Sequence, residues 1–211
     1  MNILAVSDIE LNIIYNPSIK ERFKHIDLLI GCGDLPYYYL EYMVSSLDRM
    51  LYYVRGNHVP TIYEENGEAR TNPWGGIDLH ERVVRDQSGL LLAGIEGSLL
   101  YNRGKYQYSQ NEMWLIVARM LPKLLTNRLR HGRALDVLVT HAPPWKIHDQ
   151  DDLPHQGIRA FRWLIQVFQP ALHLHGHIHI YQSNKRQETR IGRTLVANVY
   201  GFRELEVYPR K

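Results

Sequence analysis

The chain of 211 residues has a single cysteine, Cys32, so no intramolecular disulfide can form. A lone thiol between Gly31 and Gly33 fits a reducing compartment. No apolar run approaches the roughly 18 residues that a membrane helix needs. The opening residues, Met1-Asn2-Ile3-Leu4-Ala5-Val6, lack the basic segment, the long apolar stretch and the small-residue cleavage site of a secretory leader. A cytoplasmic, soluble protein with no membrane partner is expected. Excess charge is also scarce. Lysine plus arginine is 25 against 22 acidic residues, a net charge of +3, which argues against a nucleic-acid-wrapping protein and against an acidic disordered tail. Repeats and low-complexity segments are absent. What the chain does have in excess is histidine, with 11 copies, seven of them between His141 and His179. In a chain that is otherwise average, 45% hydrophobic and 22% charged, such crowding points to metal chemistry. The length suits one domain over residues 1–211, large enough to bury a core without a metal.

Short aliphatic runs recur, each ending in polar residues. Ile3-Leu4-Ala5-Val6 ends at Asp8, Leu28-Leu29-Ile30 at Asp34, and Leu51-Tyr52-Tyr53-Val54 at Asn57-His58. Leu90-Leu91-Leu92-Ala93 ends at Glu96, Val137-Leu138-Val139 at His141, and Leu172-His173-Leu174 at His177. Such runs read as buried strands, and α/β folds gather their sites at the carboxyl ends of strands. Between them lie helical segments. Asn16-Pro17 opens one reaching about Phe23, and Pro36 opens Tyr37 to Leu47. Ser109 to Glu112 is a capping box before a long helix that Pro122 should interrupt or kink. Gly157 to Phe168 is amphipathic. Asn66-Gly67 and Gly75-Gly76 mark turns, and Thr194 to Tyr208 reads as two strands joined near Gly201. Alternating strands and helices argue an α/β fold.

Five signatures follow one another: Asp8, Gly33-Asp34, Gly56-Asn57-His58, Thr140-His141 and Gly176-His177-Ile178-His179. They supply carboxylate, amide and imidazole donors, a set that suits a pair of divalent transition ions. Any one motif is weak; the ordered set resembles the calcineurin-like metallophosphoesterase superfamily over most of the chain. His141-Ala142-Pro143-Pro144 is closest to small bacterial and archaeal members. The resemblance implies a four-layer α-β-β-α sandwich with two mixed sheets. It also implies two metal ions, with manganese favoured and iron, zinc, magnesium or nickel admissible. Asp8, Asp34 and His179 would hold the first, and Asp34, Asn57, His141 and His177 the second. By the same resemblance, a hydroxide bridging the ions attacks phosphorus and His58 protonates the leaving oxygen.

Two positions depart from the family pattern. Glu10 stands where the first motif has histidine. It either ligates, favouring harder ions such as Mn²⁺ or Mg²⁺, or points away and leaves the first position weak. Val59 stands where an acid normally orients the third motif's histidine. His155 is a candidate substrate contact. His173 and His175 read as hydrogen-bonded or partly exposed sheet residues, and His148 as part of a solvated loop. The expected activity is hydrolysis of a small phosphoester, a diester before a monoester. The two departures motivate an alternative, a catalytically weak interaction scaffold. A nuclease is the third reading, disfavoured by the near-neutral charge.

Overall fold

Side chains of successive strand residues point to opposite faces of a sheet, and here that alternation sorts the apolar residues into separate cores. A computed structural model describes residues 1–59, 61–63, 67–181 and 187–208. Its first sheet has β1 (Asn2–Ser7), β2 (Leu28–Gly31) and β3 (Leu51–Tyr53). A small antiparallel hairpin of β4 (Ile62–Tyr63) and β5 (Ala69–Arg70) precedes β6 (Gly76–Asp78), which joins the first sheet. The second sheet takes β7 (Arg82–Arg85) and β8 (Leu91–Ile95). The short parallel pair β9 (Ser98–Leu99) and β10 (Gln107–Tyr108) follows. The second sheet then adds β11 (Val137–Thr140), β12 (Leu172–His175), β13 (Glu188–Ile191) and β14 (Thr194–Asn198), and β15 (Gly201–Glu206) returns to the first sheet. The sheet orders are β15-β1-β2-β3-β6 and β13-β14-β12-β11-β8-β7. Both are mixed: parallel centres carry antiparallel edges at β15, β7 and β13.

Three buried clusters separate four layers. Ile3, Ala5, Leu28 and Ile30 face Leu92, Val137, Val139 and Leu174 between the sheets. The intervening Leu4, Val6 and Leu29 turn outward to α1 (Ile19–Arg22) and α2 (Tyr37–Leu47), against Phe23, Tyr39 and Met43. On the far side Ala93, Ile95, Leu138 and Val196 pack under α3 (Gln110–His131) and α4 (Arg159–Phe168). The α-β-β-α sandwich is thus present as expected.

Several local readings need correction. The helix after Asn16-Pro17 begins only at Ile19, because Asn16 Oδ1 accepts from the Ser18 amide and holds a turn first. Pro122 lies inside α3 without ending it; the 22-residue helix is carried past the missing hydrogen bond by buried Met113, Ile116, Val117, Met120 and Leu124. Thr194 to Tyr208 does form two strands joined near Gly201, and they part between the sheets: β14 lies in the second and β15 pairs with β1 in the first. The turn read at Asn66-Gly67 falls partly outside the described residues.

Candidate metal centre

The parallel strands β1, β2, β3, β11 and β12 all end at one rim, and the polar residues that follow them meet there. Ordinary strand dihedrals would carry the chain away from this rim, and left-handed turns bring it back. Asp8, Asp34 and His177 have φ of 66°, 54° and 68°, uncommon for non-glycine residues and characteristic of functional sites. Two glycines let the segments approach. A Cβ at Gly56 would overlap the Asp34 carboxylate, and one at Gly176 would overlap the Ser7 hydroxyl and crowd Asp8.

Hydrogen bonds orient the donor atoms. The His141 Nδ1–H donates to the Cys32 carbonyl at 2.8 Å, so its Nε2 faces the rim. The His177 Nε2–H donates to the Pro154 carbonyl at 2.8 Å, so its Nδ1 faces inward. Asn57 spends its amide Nδ2 on the Tyr101 hydroxyl at 3.2 Å, leaving Oδ1 inward. Asp34 Oδ1 accepts from the His58 backbone N–H at 2.7 Å, leaving Oδ2. Around His141 Nε2 stand Asp34 Oδ2 at 3.1 Å, Asn57 Oδ1 at 3.1 Å and His177 Nδ1 at 3.2 Å. With both imidazoles neutral, four lone pairs converge and no donor lies among them. That arrangement is repulsive unless a cation or a proton occupies its centre, so the residues fit a divalent ion.

Without an ion, a proton on His141 meets the same need. Burial pulls His141 down, but the Asp34 and Asp8 carboxylates outweigh it and lift the imidazole to about 9. Burial likewise opposes the charge on Asp34, and His141 reverses this and holds the carboxyl down to about 2. Asp8 is raised chiefly by burial, with Asp34 adding to it and His141 opposing. His177 is lowered to about 3 by burial and by His141, so it stays neutral and able to ligate.

Asp8 lies beside this cluster, both its oxygens accepting the His177 backbone N–H at 3.0 and 3.1 Å. His179 Nε2 is 4.0 Å from Asp8 Oδ1, and the Tyr200 ring tilts against its imidazole at 4.9 Å. The exposed His58 ring has its Nε2 3.4 Å from the Tyr101 hydroxyl. His155 packs its ring against His177 at 5.3 Å and bonds Asp152 at 2.6 Å. Glu10 is exposed and accepts a hydrogen bond from Tyr38. Glu96, though at a strand end, bonds Arg55 and Tyr108 instead of joining the donors. The residues that sequence patterns did not single out are Tyr101, Tyr200 and the Cys32 and Pro154 carbonyls. His148 is also not merely solvated, since its Nδ1 lies 2.9 Å from buried His175 Nε2.

The family model for calcineurin-like phosphoesterases matches residues 1–181. No curated protein matches the chain. A solved structure of TT1561 of Thermus thermophilus is 16% identical, with a TM-score of 0.61, covering 95% of this chain and 89% of the other. Vacuolar protein sorting 29 from Cryptosporidium parvum is 13% identical with a TM-score of 0.44, covering 95% and 74%. At such identities the likeness to TT1561 is one of fold.

Proposed function

Because this chain belongs to the calcineurin-like phosphoesterase family, a family of metal-dependent phosphoester hydrolases, we propose that it hydrolyses a small phosphodiester, with His58 as the general acid. The observation carrying this reading is the convergence of four metal-ligating atoms, from Asp34, Asn57, His141 and His177, around one point. Asp8, Asp34 and His179 would hold one ion, and Asp34, Asn57, His141 and His177 the other. Two divalent ions, when bound, acidify water and offset phosphate charge, and manganese suits this mixed nitrogen and oxygen set.

The remaining work falls to the chain's own side chains. Asp34 accepts the His58 backbone N–H, which fixes the imidazole at the edge of the donor cluster. The ring is open to solvent on its outer side and can reach a substrate oxygen. A diester releases an alkoxide that needs a proton, and the His58 imidazole supplies it. The Tyr101 hydroxyl, in contact with both Asn57 and His58, orients the pair in place of the acid that Val59 lacks. His155, packed on His177, is positioned to meet the substrate phosphate.

The test is hydrolysis of an aryl phosphodiester and the matching monoester with Mn²⁺, in the parent chain and His58→Ala. The expected result is faster diester turnover and a loss of about 10²–10⁴-fold in kcat for the variant. Absence of turnover with any divalent ion would falsify the assignment. The engagement of Glu10 by Tyr38 favours one rival, a scaffold with a depleted first position. Metal analysis separates the two: two ions per chain oppose the scaffold, and fewer than one supports it.

A further inference from the structure

A cavity of about 350 Å³ opens on the rim opposite the metal-type cluster. Its walls come from the segments that lead into strands: Ala134 and Leu135 before β11, Gln169 before β12 and Arg193 before β14. The volume lies in the roughly 300–1,000 Å³ range of small-molecule sites. Leu135 and Phe168 make an apolar side, and Arg128, His131, Arg133 and Arg193 make a cationic one. No carboxylate lines it among the described residues.

The cations are not all consumed by the fold. The Arg133 Nε–H donates to Asp136 at 2.7 Å and its Nη2 to the Gly89 carbonyl at 3.1 Å, so this pair is neutral and structural. Among the described residues, Arg193 donates only from Nε, to the neutral Gln169. Among the described residues, nothing bonds the side chains of Arg128 or His131. Helices α3 and α4 both end here, and basic residues at helix carboxyl ends are commonly explained by the dipole. Each end carries about −0.5 of a charge, roughly −1 together, against two full charges on Arg128 and Arg193. A positive remainder survives.

We propose that this cavity binds a small phosphorylated molecule with an aromatic or aliphatic body. Two guanidinium groups match a dianionic phosphate, with its several acceptor oxygens, better than a single carboxylate. Leu135 and Phe168 take the body. The site is separate from the metal-type cluster, because the two occupy opposite ends of β11 and β12.

Phenylphosphonate is a suitable probe, being a dianion with an aromatic body and a carbon–phosphorus bond that phosphoester hydrolysis does not cleave. The metal-loaded full chain is titrated with it by calorimetry, alongside the double variant Arg128→Glu/Arg193→Glu and the variant His141→Ala. The expected outcome is a saturable site weakened about tenfold or more by the charge reversals. That site should persist in His141→Ala. Both arginines are exposed, so an unchanged melting temperature checks that the double variant is folded. Absence of saturable binding in the parent chain overturns the proposal. So does binding that the charge reversals leave unchanged when they are made together with His141→Ala.

Discussion

The phenol of Tyr101 touches two members of the cluster that differ in their roles. It accepts from the Asn57 amide at 3.2 Å and stands 3.4 Å from His58 Nε2. Its own backbone N–H is held by the Gln107 side chain at 3.2 Å, so the ring sits on a braced loop. Tyr101→Phe keeps the ring and removes the hydroxyl. We expect kcat to fall about tenfold while metal content and melting temperature stay unchanged, since a single oriented hydrogen bond is at stake. Elemental analysis together with diester kinetics reads this out, and an unaltered kcat would mean His58 is placed by something else. Tyr101 also shows where sequence reading stops. Asp8, Asp34, Asn57, His141 and His177 were legible because each lies within four residues of its strand's end, with left-handed backbone at Asp8, Asp34 and His177. Tyr101 and Tyr200 come from connections whose course depends on packing between distant segments. The rotamer of Glu10 is undetermined by its neighbours in sequence, and its hydrogen bond from Tyr38 depends on a residue 28 positions away.

Local chemistry is strongest at the start of α3. The Ser109 hydroxyl accepts from the Glu112 amide at 3.2 Å, and the Glu112 carboxylate accepts from the Ser109 backbone N–H at 2.7 Å. Both halves of the capping box close, as the four-residue pattern foretold. Loss of an N-cap hydroxyl costs about 1 kcal/mol, so Ser109→Ala should lower stability by that amount in urea titrations with an unchanged slope. No shift at all would show that the fold holds this end without the cap. Other elements were readable for similar reasons: Pro36 precedes the start of α2, and the face of Phe161, Leu164 and Ile165 buries α4. What local signals could not supply was partnership. Nothing in Thr194 to Tyr208 says that its halves join different sheets. Pro122 was expected to interrupt or kink α3; it does not interrupt it, its cost being outweighed by the helix's long apolar contact with the second sheet.

At the scale of the whole molecule, the histidine excess extends beyond the candidate metal centre, and it ties the fold to pH. His173 and His175 lie on the outer face of β12, fully buried beneath α4. The Thr140 hydroxyl donates to the Ala142 carbonyl at 2.7 Å and so accepts from His173 Nε2 at 2.8 Å, leaving His173 Nδ1 bare and the ring neutral. His175 donates from Nδ1 to the Gly176 carbonyl at 3.0 Å and meets His148 through Nε2. Burial, helped by His148, holds His173 down to about 3; burial, helped by His173 and His148, puts His175 well below the ordinary imidazole range. The folded pKa is the depressed one, so the fold resists protonation while the unfolded chain takes up protons near 6.5. Stability from these two residues is therefore complete above about 6.5 and declines as pH falls below it. Each contributes a slope of about 1.4 kcal/mol per pH unit, or nearly 3 for the pair. Urea unfolding at several pH values between 6.5 and 5 should show this steep loss. His173→Leu should flatten it by about one proton, because leucine fills the space without titrating and Thr140 retains its bond to Ala142. Equal slopes in parent and variant would place the acid sensitivity elsewhere, in the carboxylates and imidazoles of the metal-type cluster.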